Sequence, residues 1–334
     1  MTELHTQKHY KNLIQDIGVI LDTGRKQAYK TVNNILVRTY WEIGKRIVDF
    51  EQQGKEKAEY GTELLDRLAA DLKTQFGKGF SRRNVLDMRR FYSAYPKWQT
   101  VSAELSWSHY IQLISIEDNL ARSFYEKQCI KEKWSIRELS RQKDSALFER
   151  IALSKDKKEV LKLAQEGQII KSPEDIIKEP YVLEFLGISE NHKHSEAELE
   201  QKIIDDLQMF LLELGKGFTF VKRQFRMSFQ QNHFYVDLVF YHRILKCFVL
   251  IDLKINAVNH GDIGQMNMYL NYFAKEENSE DDNPPIGIIL CADKDEVKIE
   301  YALGGISNQL FVSKYQLYLP KKEELEAEVK KLLD

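Results

Sequence analysis

His233-Phe234-Tyr235-Val236-Asp237-Leu238-Val239-Phe240-Tyr241 and, after a short break, Cys247-Phe248-Val249-Leu250-Ile251-Asp252-Leu253-Lys254 form the stretch whose reading decides the fold. Both segments are aromatic and β-branched, which predicts two strands. Side chains alternate along a strand, so Phe234, Val236, Leu238 and Phe240 are expected on one face and Tyr235, Asp237, Val239 and Tyr241 on the other. The second segment is apolar almost throughout, as in strands covered on both faces. It ends in Asp252 and Lys254, which share a face because they are two residues apart. A turn centred between Ile244 and Leu245 sets Asp237 opposite Asp252. Directly opposed Cβ atoms lie about 5 Å apart, and like charges so placed repel.

Two carboxylates held together in an apolar sheet need positive charge. Lys254 supplies one; a divalent cation would supply the rest. Mg²⁺ suits such a site because it takes one or two carboxylates and completes its shell with water and phosphate oxygens; Mn²⁺ is the alternative metal. The carbonyl of Leu253, between the two functional residues, is a further candidate ligand. The cation would acidify a water molecule and neutralise charge on a phosphoryl group, with Lys254 orienting that water or offsetting charge. Spacing alone leaves two readings open, a metal–phosphoester site and a structural ion pair.

Outward from this hairpin, Glu196 to Leu214 reads as a helix ended by Gly215, and Phe218 to Phe229 as a strand. A helix from about Asp262 to Lys275, an acidic loop and the apolar strand Ile286 to Cys291 follow. That order predicts an α/β domain with a mixed sheet. Residues 8–150 have helical spacing nearly throughout, with Pro96 the only proline. Residues 150–195 read as a transition, running from a charged helix-like stretch at Lys155 to Glu166 through Gly187 to a polar turn over Ser189 to Ser195. Gly-Lys-Gly-Phe occurs at 77–80 and 215–218, each time as a helix end, because neither copy has the upstream glycine of a phosphate loop.

Composition sets the bounds. A chain of 334 residues suggests two domains. With 43% hydrophobic and 30% charged residues it reads as an ordinary globular protein. No apolar run approaches the roughly 20 residues of a membrane span, and the N-terminus lacks a signal-peptide core. Cys129, Cys247 and Cys291 are far apart and form no zinc pattern, so reduced thiols in the cytoplasm are expected. Residues 1–150 carry 26 Lys and Arg against 20 Asp and Glu, whereas the remainder carries 23 against 31. A basic front and an acidic back fit a nucleic-acid grip followed by a metal site.

The basic excess concentrates in Lys78 to Lys97. Ser81 is a good N-cap for a helix projecting Arg82, Arg83 and Asn84 from its first turn, where a recognition helix contacts base edges. Lys78, Arg89 and Arg90 complete a candidate nucleic-acid surface. The competing reading is a solvated basic helix with Met88, Phe91 and Tyr92 in the core. His109 sits in an aromatic segment and reads as a core residue, and His233, His242 and His260 match no histidine–metal spacing. The Lys321 to Leu333 helix, with Leu325, Val329 and Leu332, serves packing or a homodimer.

The acidic segments, with Gly264-Gln265-Met266-Asn267-Met268-Tyr269-Leu270-Asn271-Tyr272 and Asp282-Asn283-Pro284-Pro285-Ile286, closely resemble the YhcG-type branch of the PD-(D/E)XK nuclease superfamily. Tyr40-Trp41-Glu42-Ile43-Gly44, Phe76-Gly77-Lys78-Gly79-Phe80-Ser81 and Leu105-Ser106-Trp107-Ser108-His109-Tyr110 resemble that branch's N-terminal helical domain. The resemblance covers nearly the whole chain. It implies that Asp237 is the first metal-binding aspartate, Asp252 the second acid and Lys254 the catalytic lysine. Gln265 and Tyr269 resemble a Gln-x-x-x-Tyr motif on one helix face, and Glu200 resembles an additional acid carried by many members. Val236 stands where the superfamily name has proline.

The expected architecture is therefore an all-α domain over 1–155 with a helix-turn-helix element, a transition over 156–190, and an α/β restriction-endonuclease-like domain with a mixed sheet over 191–334. The expected activity is Mg²⁺-dependent hydrolysis of DNA by a cytoplasmic protein, with the helical domain contacting the substrate. The alternative is a non-catalytic DNA-binding or adaptor protein that keeps the nuclease fold. RNA stays open as a substrate.

Overall fold

The two strands around the acidic pair lie where their patterning puts them. In the computed structural model, β3 (Asn232–His242) and β4 (Cys247–Ala257) form an antiparallel hairpin pairing Leu238 with Ile251 and His242 with Cys247. This is the register implied by a turn centred between Ile244 and Leu245. The structure describes residues 2–53, 61–153, 155–188, 194–229, 232–293, 303, 309–319 and 321–333. Residues 189–193 of the expected polar turn lie outside the described residues.

The chain divides into two compact units, Met1–Ser140 and Arg141–Asp334. The second holds a six-stranded sheet in the order β1-β6-β5-β4-β3-β2. β2 (Phe218–Phe229), β3 and β4 are antiparallel; β5 (Ile286–Asp293), β6 (Leu310–Gln316) and β1 (Tyr181–Val182) continue from β4 in parallel. The sheet is thus mixed. Parallel neighbours need a crossover, and the helix His260–Tyr272 supplies it between β4 and β5. Leu238, Phe240, Val249, Ile251 and Leu253 pack with Leu199, Ile203, Phe210 and Leu214 of the preceding helices. On the other face, Val239, Leu250 and Ile289 pack with Ile263, Met266, Tyr269 and Leu270.

Three expectations change. The helix over 196–214 is two helices, Glu196–Asp205 and Leu207–Leu214, broken at Asp206, whose backbone (φ −111°, ψ 36°) is not helical. Aspartate competes for helix backbone groups and favours such ends. Val236 packs with Val239 instead of with Leu238 and Phe240, so the alternation of β3 breaks at Asp237. The transition segment is part of the sheet unit: it forms the helix Lys157–Glu166 and strand β1. Buried charges pin it there. Arg150 Nη1 donates to Glu213 Oε1 (2.6 Å) and to Pro180 O (2.9 Å), Lys178 donates to Glu213 O, and Val182 N donates to Glu213 Oε1 (3.1 Å).

The first unit is helical, as expected. Its longest helix, Thr2–Gln53, crosses the helix Arg82–Ala94 at Gly44, where an added Cβ would stand 2.0 Å from Met88 O. Only glycine allows that approach. The helices Gly61–Phe76 and Arg82–Ala94 are joined by a short turn in which Gly77 and Gly79 take positive φ. Val329 of the C-terminal helix Lys322–Leu333 is buried and belongs to the second unit. Among the described residues no helix is long and apolar enough to cross a membrane.

Candidate active site

Strands β3 and β4 part company at the acidic pair. Their last ladder pair is Leu238 with Ile251; one step further in the same register come Asp237 and Asp252. Beyond that point β3 continues with β2 alone and β4 with β5 alone. A fork opens, and the two acids stand at its base. A strand that loses its neighbour leaves backbone N–H groups without acceptors. Asp237 fills one such gap: its Oδ2 accepts from Leu253 N at 2.8 Å.

Asp252 is 4% exposed. Burial, followed by the facing carboxyl of Asp237, pushes its carboxyl up to about 7, against the lowering influence of Lys254. The Asp252 and Asp237 side chains are within hydrogen-bonding reach of each other. Lys254 Nζ lies 2.7 Å from Asp252 Oδ2 and 3.9 Å from Glu196 Oε2. Burial alone would lower its ammonium, but Asp252 and the neighbouring acids outweigh that and raise it. Lys254 is therefore held as a cation, suited to offsetting charge.

Tyr269 is buried on the crossover helix, and burial together with the charges of Asp252 and Asp237 raises its phenol. Gln265, one turn earlier, is half-buried. Glu200 is also buried, and burial raises its carboxyl. It is held by Arg223 (Nε to Oε1, 3.1 Å) and by the carboxamide of Gln224, which also donates to Asp237 Oδ1 at 3.1 Å. The structure thus brings Asp237, Asp252 and Lys254 together, links Glu200 to them through Gln224, and sets Tyr269 within electrostatic reach. Sequence reasoning missed Arg223 and Gln224. Strand alternation gave no sign that Arg223 and Gln224, consecutive in β2, would reach the same carboxylate.

The side-chain donors at the fork are carboxylate oxygens, those of Asp237 and Asp252. That set fits a hard divalent cation that keeps water and substrate oxygens in its shell. Among the described residues, no three His, Cys, Asp or Glu side chains converge to hold a metal by themselves.

The basic helix of the first unit is capped as expected: Asn84 N donates to Ser81 Oγ at 3.2 Å. Lys78, Arg82, Arg83 and Arg90 are exposed. Arg82 pairs with Asp66, Arg89 with Glu51 (2.7 Å), and Arg83 lies 4.0 Å from Asp87. Asn84 faces inward: its Oδ1 accepts from Trp107 Nε1 (2.9 Å) and its Nδ2 donates to Gly79 O. His109 is a helix cap bound to Ser106 and Trp134, and His242 binds Lys216 O and Leu245 N.

Comparison with known proteins places the chain in a family. Residues 174–330 match the YhcG PDDEXK nuclease domain, and residues 16–150 match the DUF1016 N-terminal domain. The chain is 38% identical, over 97% of its own length and 94% of the relative's, to "Putative nuclease YhcG" of Escherichia coli (strain K12). Among solved structures it is similar to a repair endonuclease from Pyrococcus abyssi (19% identity, 40% of this chain, TM-score 0.27) and to EndoMS in apo form (16%, 39%, TM-score 0.25). The matches span 50% and 49% of those two chains. With a DUF1016 N-terminal domain joined to a PDDEXK domain, this chain belongs to the YhcG nuclease family.

Proposed function

We propose that the protein is a divalent-metal-dependent deoxyribonuclease whose reaction centre is the base of the β3–β4 fork. The observation that carries this reading is the buried Asp252 facing Asp237, with the Lys254 ammonium 2.7 Å away. Asp237, Asp252 and the carbonyl of Leu253 would hold Mg²⁺ or Mn²⁺. When bound, such a cation supplies Lewis-acid chemistry, acidifying water and stabilising negative charge at the reacting phosphate.

The chain's own residues do the rest. Lys254, kept protonated by its acidic neighbours, offsets the charge that develops on the phosphoryl oxygens as the diester is attacked. Asp252 fixes the Lys254 side chain in place. Tyr269 is kept as a neutral phenol near the acidic pair, and Gln265, one turn earlier on the same helix, would act beside it. Glu200 stands behind Asp237 as a further acid. In the first unit, Lys78, Arg82, Arg83, Arg89 and Arg90 would grip phosphates, which positions a duplex without reading its sequence. Asn84 contributes to the fold of that helix.

The test is a cleavage assay with Mg²⁺ or Mn²⁺ on linear, circular, single-stranded and branched DNA, with RNA in parallel. The proposal expects metal-dependent cutting of at least one DNA form and its loss in a folded Asp252→Ala variant. Cutting that survives in chelator, or in that variant, contradicts it; cutting of RNA alone reassigns the substrate.

A further inference from the structure

Gln224 sits in β2 with φ +46°, in the left-handed region that non-glycine residues seldom enter. Its neighbours are ordinary ladder residues: Arg223 pairs with Leu238 and Phe225 with Val236, which leaves Gln224 across from Asp237. In a regular strand, consecutive side chains point to opposite faces. Here Arg223 Nε lies 3.1 Å from Glu200 Oε1 while Gln224 Nε2 donates to Glu200 Oε2, so two consecutive residues reach one carboxylate. The left-handed backbone makes this possible. The same Nε2 donates to Asp237 Oδ1 at 3.1 Å.

We propose that Gln224 is a positioning residue, a carboxamide clamp that holds Glu200 and Asp237 in one orientation for the cation, with its backbone strained to do so. The proposal rests on the metal-dependent reading of the fork. A primary amide nitrogen has two protons and no charge. It can give one to each acid, whereas a glutamate there would add a third negative charge. With Oδ1 bound by Gln224 and Oδ2 by Leu253 N, the plane of the Asp237 carboxylate is fixed, and each oxygen retains an accepting lone pair. Partners of this kind behind a metal ligand typically change affinity or activity about 10- to 100-fold when removed. Strain of this type persists where surrounding structure holds it.

The distinguishing variant is Gln224→Gly. Glycine occupies the left-handed region without penalty, and Gln224→Gly and Gln224→Leu lose the same hydrogen bonds, so the metal-free glycine variant should melt about 2–4 °C above the leucine variant. The clamp is lost all the same, so Mn²⁺ affinity measured by calorimetry should fall about 10- to 100-fold, and kcat with it, while KM for DNA changes little. Gln224→Leu, which keeps the bulk and the strained backbone, should lose the same affinity. Gln224→Asn, whose shorter arm cannot span both acids, should not restore it. Mn²⁺ affinity at the wild-type level in the glycine and leucine variants would overturn the clamp while leaving the metal site intact, provided Asp252→Ala abolishes binding. A melting temperature in Gln224→Gly no higher than in Gln224→Leu would overturn the strain. Wild-type protein that binds no Mn²⁺ would remove both the site and the clamp.

Discussion

Asp237 Oδ2 accepts the backbone N–H of Leu253 at 2.8 Å, so a side chain of one strand completes the hydrogen bonding of the next where the ladder between them ends. The carboxylate therefore has two tasks, a structural one at the fork and a proposed one toward the cation. Two substitutions separate them. Asp237→Ala leaves the Leu253 N–H without its acceptor and should cost about 1–3 kcal/mol in urea unfolding, together with all cutting. Asp237→Asn keeps an oxygen for Leu253 and should stay within about 1 kcal/mol of wild type, yet cut no better than the alanine variant.

Asp252 trades stability for its task. Its folded carboxyl is raised to about 7 from 3.8, so the folded protein holds that proton over this window. The contribution is fully present below about pH 4 and is lost as the pH rises through 7. Without metal, the melting temperature should carry a component that falls between about pH 4 and pH 7, and Asp252→Asn should abolish it. At pH 8 the metal-free variant should melt about 4–8 °C above wild type while cutting no DNA. Equal melting of the two proteins at pH 8 would count against a strained acid pair.

Glu213 behaves in the opposite way. Burial alone would raise its carboxyl, but the Arg150 guanidinium and the Lys178 ammonium outweigh burial and hold it down at about 2. The stability it provides is present above pH 4.5 and disappears as the pH falls toward 2. Arg150→Ala strands a buried carboxylate and should cost about 3–5 kcal/mol at pH 7. Acid titration of unfolding should show that difference shrinking below about pH 4.

In the first unit, Arg83 and Asn84 should respond differently although they are adjacent. Arg83 is exposed, and Arg83→Ala should weaken DNA binding for all sequences alike, reducing the salt slope of the affinity by about 1. Its stability should change by less than about 0.5 kcal/mol. Asn84→Ala removes the acceptor of Trp107 and the donor to Gly79. It should destabilise the unit by about 1–2 kcal/mol, with any loss of binding following from that. Fluorescence anisotropy across a salt series and thermal melting distinguish the two.

The hairpin was legible in the chain because its determinants are local: aromatic and β-branched runs, a four-residue turn and a register that follows from both. Asp237, Asp252 and Lys254 could be placed together for that reason. β6 and β1 were not seen, since parallel pairing of distant segments leaves no mark in either one. The break at Asp206 was hidden by the apolar spacing that runs through it. Gln224 was hidden for another reason. Periodicity assigns a face only if the backbone is regular, and at φ +46° it is not. Asn84 shows the converse: a polar residue in a first helical turn reads as a contact until Trp107, 23 positions away, claims its oxygen.

The central claim is that the fork binds a cation between its two acids, and anomalous diffraction from crystals soaked in Mn²⁺ tests it most directly. The account predicts a peak about 2 Å from a carboxylate oxygen of Asp237, one of Asp252 and the carbonyl of Leu253, which disappears in Asp252→Asn crystals. Crystals of active protein with no peak at the fork, or with the two carboxylates turned away from each other, would contradict it.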